Sequence, residues 1–185
     1  MFVRTQRLTL RPGWREDAAE LARAIGHESV VRNLARAPWP YTIEAAETFA
    51  AGFGEPLEPK FLIFEHQGGG VRLIGVASIG PFEDEPHEFG YWITPDAWGR
   101  GYATEAGAAV LRAARAVGIR HVGAGHFLDN PASGRVLRKL GFRPTGRGTQ
   151  VYSRGRGAPV PSARFEIDLA DTGAVDNDPR ARMAA

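Results

Sequence analysis

Trp98-Gly99-Arg100-Gly101-Tyr102-Ala103-Thr104-Glu105-Ala106 lies just after a β-rich run that Pro95 ends. It opens the most helix-favouring stretch of the chain, Ala103 to Val117, which Gly118 closes. A glycine-rich turn in that setting aims successive backbone N–H groups, with the positive end of a helix dipole, at one point beyond the strand. The stretch therefore reads as an anion cradle. Two phosphate-binding patterns fail on it. A Walker A loop needs Gly-Lys-Ser/Thr, and neither lysine, Lys60 or Lys139, follows a glycine. The dinucleotide fingerprint needs Gly or Ala where Thr104 stands, and no acidic residue lies about 20 residues on at a strand end. On these residues alone, a plain structural turn feeding a helix competes with the cradle.

Working outward, Arg7 to Arg11 alternates as a half-buried strand does, and Pro12-Gly13 closes it. Asp17 to Leu34 is spaced for one or two amphipathic helices broken near Gly26, and Thr42 caps a further helix that ends at Gly52. Phe61 to His66 and Val71 to Ile79 read as a hairpin. Glu88 to Thr94 is another strand, in which Gly90 suggests a bulge or a close backbone approach. His121 to Phe127 is a strand, followed by a helix with Asn130 as N-cap, Pro131 at its first position and Gly141 past its end. Thr149 to Arg154 and Ala163 to Leu169 are expected to form a last hairpin around a long irregular stretch. The expectation is a mixed α/β fold in a single domain over residues 1–170, with 171–185 a frayed tail.

Composition narrows the chemistry. With 43% hydrophobic and 24% charged residues the chain is of globular type, and with no cysteine it offers neither thiolate ligands nor a thiol nucleophile. No secretory leader with an apolar run of about 7 to 15 residues is expected at the N-terminus, nor a membrane-spanning run of about 18, so cytoplasm is the expected location. A net charge of +2 does not imply a polyanion binder. Eight basic and no acidic residues fall between Asn130 and Phe165, however, a local excess suited either to phosphates or to a solvated face. His87-Glu88 never completes His-Glu-x-x-His, and Val76-Ala77-Ser78-Ile79-Gly80 lacks the first glycine of a nucleophile elbow.

The loop from Trp98 resembles the acetyl-CoA pyrophosphate loop of the GNAT superfamily of acetyltransferases, Gln/Arg-x-x-Gly-x-Gly/Ala, with Gly101 and Ala103 as the last two marks. Trp98 departs from the pattern at the Gln/Arg position. Trp-Gly-Arg-Gly-Tyr-Ala-Thr-Glu-Ala is similar to the form in the RimJ/RimL-like branch, which includes ribosomal-protein N-terminal acetyltransferases. Arg7 to Pro12, Glu88 to Ile93, and Asn130 to Ser133 with Leu140 to Phe142 resemble that branch's first strand, fourth strand and fourth helix, in order. The hairpin after Arg147 matches only loosely.

The resemblance implies a mixed sheet of roughly seven strands flanked by four helices. It implies transfer of acetyl from acetyl-CoA, by direct attack through a tetrahedral intermediate, to a protein N-terminal α-amine or a small-molecule amine. A non-catalytic acetyl-CoA binder of the same fold is the alternative, and a ribosome- or RNA-binding role for the basic stretch is the weaker one. No metal or membrane is implied, and a homodimer is. Trp98, Gly99, Arg100, Gly101, Tyr102, Ala103 and Thr104 would hold the diphosphate, joined by Arg135 and Arg138. Backbone N–H groups of Tyr91, Trp92 and Ile93, freed by the bulge, would meet the thioester and pantetheine arm, which Asn130 orients.

Amine acceptors are mostly protonated at neutral pH, with reference pKa values of about 8 for an α-amine and about 10.4 for lysine, so a base is needed. Glu88 is the first candidate, because superfamily members often place a carboxylate on this strand; a hydrated outward glutamate is the alternative. His87, His126 and Glu166 rank lower. Ser133 matches the position of a hydroxyl near the departing sulfur, or is a helix-start serine. Trp14, Trp39 and Tyr41 are expected on the acceptor side or in the core.

Overall fold

The computed structural model describes residues 1–53 and 58–170; the expected tail at 171–185 lies outside the described residues. The chain opens with strands β1 (Val3–Arg4) and β2 (Leu8–Arg11), then helices α1 (Ala18–Ile25), α2 (Glu28–Val31) and α3 (Ile43–Ala51). Strands β3 (Lys60–Gln67), β4 (Gly70–Phe82) and β5 (Glu85–Ile93) form a meander. Helix α4 (Tyr102–Ala116), strand β6 (His121–Phe127), helix α5 (Pro131–Lys139) and strands β7 (Arg143–Ser153) and β8 (Ala158–Asp168) complete it. Among the described residues all strands join one sheet, ordered β1-β2-β3-β4-β5-β6-β8-β7, in which only β5 and β6 run parallel. A parallel neighbour needs a long crossover, which α4 provides.

Among the described residues the sheet has eight strands because Val3–Arg4 pairs on the outer edge of β2, and there are five α-helices because Gly26 separates the single turn of α2 from α1. Both faces are covered. Helices α4 and α5 bury one face with Phe89, Ile93, Val110, Leu137 and Phe165, and α1 to α3 bury the other with Leu62, Phe64, Val76 and Trp92. That double burial is why the middles of β3 and β4 are continuous apolar runs.

Two expectations change. The strand irregularity falls between Gly80 and Phe82, at Pro81, and Gly90 pairs in regular register with Ser78. Proline cannot donate to a ladder, so the bulge gathers there. The C-terminal hairpin is longer than its sequence suggests, β7 and β8 turning over residues 154–157 with Gly157 at φ 65°. Pro159 and Pro161 look like breakers. The Pro161 carbonyl, however, accepts from the Leu128 amide, so the missing N–H lies on the β6 side, beyond the last β6–β8 pair at Phe127–Ser162.

Candidate active site

Strands β5 and β6 pair only at Glu88–Gly123 and Phe89–Ala124 and then part. The Thr94 amide donates to the Ile74 carbonyl at 2.8 Å, so by alternation the amides of Trp92 and Gly90 turn to β4, while those of Tyr91 and Ile93 turn to the gap. Strand splaying, not a bulge, frees these donors, and Trp92 is not one of them. Side chains alternate in the same way. Phe89, Tyr91 and Ile93 face α4 and α5, whereas Glu88, Gly90 and Trp92 face the α1–α3 side.

Beyond β5 the expected cradle is built by two glycines in the left-handed region, Gly99 at φ 73° and Gly101 at φ 81°, which a Cβ would strain. Gly101 is the N-cap of α4 without any side-chain cap, and Glu105 is the first residue whose amide closes on its carbonyl. The amides of Tyr102, Ala103 and Thr104 are therefore left at a fifteen-residue helix's positive end. A Cβ at Gly99 would meet nothing within 4 Å, and Tyr102, Ala103 and Thr104 line the open cleft. The Trp98 indole N–H donates to the Ile93 carbonyl at 2.6 Å, pinning the loop to the end of β5. That bond gives the departure at this position a physical role.

A charged network fixes the loop from behind. Glu65 is buried on β3 and accepts from the Tyr102 hydroxyl at 2.5 Å, from Arg72 at 3.1 Å and from Arg100 at 2.7 Å. Burial pushes this carboxyl up, but the hydrogen bonds of Tyr102, Arg72 and Gln67 and the charge of Arg100 outweigh it and hold its pKa below the usual value. The Arg100 guanidinium is thus turned to Glu65 rather than to the cradle. Arg7 donates to the Arg100 carbonyl at 2.9 Å and pairs with Glu105 at 2.6 Å, neutralising an acid in the first turn of α4. This ties the opening strand to the loop.

On the α1–α3 side, Glu88 pairs with Arg164 of β8 at 2.5 Å. Burial raises the Glu88 pKa, Arg164 opposes this, and Glu83 and Glu85 add to it, so the net shift is upward. On the opposite side the Tyr91 hydroxyl donates to Ser133 Oγ at 3.1 Å. Asn130 Oδ1 accepts from the Ser133 amide at 3.4 Å, the N-cap bond expected from sequence. His126 lies on this second face, its Nδ1 2.8 Å from the Phe127 carbonyl and its ring against Phe165; it is on the wrong face to share a proton path with Glu88. Glu166 is exposed.

These groups converge on one cleft of about 1170 Å³, above the usual range of about 300–1,000 Å³ for small-ligand sites. Glu88, Ser133, Asn130, the three β5 residues and the loop from Trp98 to Thr104 line it, except Arg100; Tyr41, His126 and Arg135 line it as well, whereas His87, Glu166, Arg138, Trp14 and Trp39 do not. Trp14 instead carries the Arg11 guanidinium, 3.9 Å from its ring. The acid-free basic run is not one patch: Arg156 pairs with Asp129, Arg164 with Glu88, and Arg138 lies over Phe165. The α2–α3 loop crosses to the β7–β8 turn through Ser153 Oγ to the Leu34 carbonyl at 3.0 Å and the Arg154 amide to the Ala35 carbonyl at 2.8 Å. Among the described residues no cluster of three or more His, Asp or Glu is placed to hold a metal ion, and no helix is long and apolar enough to cross a membrane.

Sequence reasoning missed Glu65, Arg72 and Arg164. Glu65 had a signal, being an acid that directly follows the apolar run Phe61 to Phe64 within the same strand. Arg164 had none, because its partner is distant in sequence.

Comparison with known proteins agrees with this architecture. The chain is similar to Uncharacterized N-acetyltransferase YoaA of Bacillus subtilis (strain 168), 29% identical over 172 residues that make up 90% of this chain and 96% of that one. A GNAT-family acetyltransferase from Bacillus anthracis superposes with a TM-score of 0.77 at 21% identity, over 92% of this chain and all of that one. RimL, a ribosomal L7/L12 α-N-protein acetyltransferase in complex with coenzyme A, superposes with a TM-score of 0.73 at 19% identity, over 91% and 98%. The family model Acetyltransferase (GNAT) domain matches residues 7–143, about three quarters of the sequence, and the chain belongs to that family.

Proposed function

We propose that the cleft transfers the acetyl group of acetyl-CoA to a primary amine, either a protein N-terminal α-amine or a small-molecule amine, in the manner of the RimJ/RimL-like branch. One observation carries the reading: the gap between β5 and β6 joins an uncapped helix N-terminus on one side to a largely enclosed carboxylate, its pKa raised by burial, on the other. A diphosphate fits the free amides of Tyr102, Ala103 and Thr104. The amide-bearing arm behind it fits the strand edge where the Tyr91 and Ile93 amides lack a β6 partner, adding itself as a strand would. The acceptor enters from the α1–α3 side, past Tyr41, toward Glu88.

Each residue then has a task. With the Ile93 amide taken by the arm, the Tyr91 amide, further from the diphosphate, meets the thioester oxygen as it gains negative charge, which a fixed donor stabilises. Glu88 takes the amine's proton directly or through water, and its raised pKa brings it nearer to the amine's own. Ser133 faces the departing sulfur. The similarity in shape to a protein N-terminal acetyltransferase supports a peptide acceptor.

The test is CoA release from acetyl-CoA over a panel of peptides with free N-termini and of small amines. At least one acceptor should raise release above hydrolysis, and Glu88→Gln should lower its turnover by about 10² to 10⁴ while acetyl-CoA affinity survives. A protein that binds acetyl-CoA tightly yet gives no acceptor-dependent release would be a binder, not a transferase.

A further inference from the structure

Tyr91 carries a hydroxyl that the steps above leave without a task. Its ring stacks on Phe89 at 5.6 Å, and its Oη donates to Ser133 Oγ at 3.1 Å. The bond crosses the place where β5 and β6 have parted and joins β5 to the first turn of α5. We infer that Tyr91 is a positioning residue: it holds the Ser133 hydroxyl so that the serine's own hydrogen points at the sulfur of acetyl-CoA. This rests on the acetyl-transfer reading given above.

A lone serine hydroxyl rotates freely and has one hydrogen to give and two lone pairs to fill. Of the two hydroxyls the phenol is the stronger acid, so Tyr91 donates and Ser133 accepts. The helix start does not consume the serine oxygen, because Asn130 supplies the cap and Ser133 contributes only its amide. With one lone pair filled by Tyr91, the serine hydrogen turns away from the phenol and into the cleft that both residues line. A hydroxyl that accepts one hydrogen bond also donates a stronger one. Burial pushes the Tyr91 pKa up, only partly offset by Ser133, so the phenol stays a neutral donor at working pH.

In the transfer, the amine nitrogen bonds to the thioester carbon, the C–S bond breaks and its electron pair stays on sulfur. The amine's proton goes to Glu88. Nothing leaves Tyr91; its bond to Ser133 stands before and after, while the Ser133 hydrogen bond to sulfur strengthens as charge develops there.

The experiment uses CoA itself as probe and needs no acceptor. The thiol of bound CoA is titrated through its ultraviolet thiolate absorbance in the parent protein, in Tyr91→Phe, in Ser133→Ala and in the double variant. A hydrogen bond to the thiolate lowers its pKa, so Tyr91→Phe and Ser133→Ala should each raise the bound thiol by about one unit. The double variant should rise no further than Ser133→Ala, because the two act as one unit. CoA affinity should stay within about threefold, since phenylalanine keeps the stack on Phe89. The same thiol pKa in all four proteins, additive shifts, or a CoA affinity lost in Tyr91→Phe would each overturn the inference. A parent protein that fails to bind CoA would instead overturn the acetyl-transfer reading beneath it.

Discussion

Glu88 and Arg164 meet at 2.5 Å across the top of β6, with side chains only 13% and 19% exposed. They reach each other because β6 shows glycines on that face. Glu88 pairs with Gly123 and Arg164 with Gly125, and a Cβ at Gly125 would stand 3.0 Å from the Arg164 Nη1. Burial raises the Glu88 pKa and Arg164 limits the rise. A base works only when ionised, so the acid limb of kcat/KM should lie above the ordinary carboxylate value of about 4.3. Arg164→Leu removes the lowering partner and should move that limb further up, costing more activity at pH 6 than at pH 9. An unmoved limb would mean that Glu88 is not the titrating base.

Gly90 sits between Glu88 and Trp92 in the row facing the acceptor, and a Cβ there would meet nothing within 4 Å. Its backbone has no left-handed strain. Gly90→Val suits a strand and should leave stability equal or raise it by about 0.5–1 kcal/mol. The added methyls fill the space through which the amine must pass. Acetyl-CoA affinity should hold while kcat/KM for the amine falls by about 100-fold or more. Calorimetry with acetyl-CoA beside steady-state kinetics separates the two; an unchanged kcat/KM would place the acceptor path elsewhere.

Much of this was legible in the sequence, for identifiable reasons. Helix ends were marked by local chemistry: Thr42 and Asn130 cap through their side chains, and Gly118 and Gly141 take positive φ past helix ends. The cradle was legible because Gly99 and Gly101 encode their own backbone geometry. What stayed hidden was set by partners far along the chain. Arg100 reads as a phosphate ligand until Glu65 is found beside it, and Gly90 reads as a bulge until the parting of β5 from β6 shows what frees the amides. Val3–Arg4 is too short to show a period.

Gly101 tests the cradle directly. Its φ of 81° costs an L-residue about 1–2 kcal/mol, and the nearest atom to an added Cβ is the Arg7 Nη2 at 3.5 Å. Gly101→Ala should therefore fold, with a modest loss of stability, but with the first α4 amides re-aimed. Acetyl-CoA affinity should fall by roughly tenfold or more, because hydrogen bonds to a charged group weaken steeply off axis. Parent-like affinity with circular dichroism unchanged would count against the α4 amides as the diphosphate site.

Glu65 joins the fold to the site, since its partners Tyr102 and Arg100 belong to the loop while Arg72 also bridges to Asp96. Its folded pKa lies below the usual value. A depressed carboxyl stabilises the fold above its unfolded pKa, about 4.3, and that contribution is lost as pH falls through the lower folded value. Glu65→Gln keeps the shape but removes the charge that both arginines meet. Breaking a buried pair costs about 3–5 kcal/mol. Arg72 and Arg100 remain 33% and 50% exposed, so water recovers part of that, leaving a loss of roughly 1–3 kcal/mol at pH 7. The difference between parent and variant should shrink as pH falls below the unfolded carboxyl value and on through the lower folded one, as the parent carboxyl also protonates. Acetyl-CoA KM should rise with little change in kcat, because the loop loses its anchor while Glu88 and Ser133 keep theirs. Thermal melts from pH 3 to 8 check the stability half and saturation kinetics the other. A variant with parent-like melting at pH 7 and parent-like KM would remove Glu65 from any role in holding the loop.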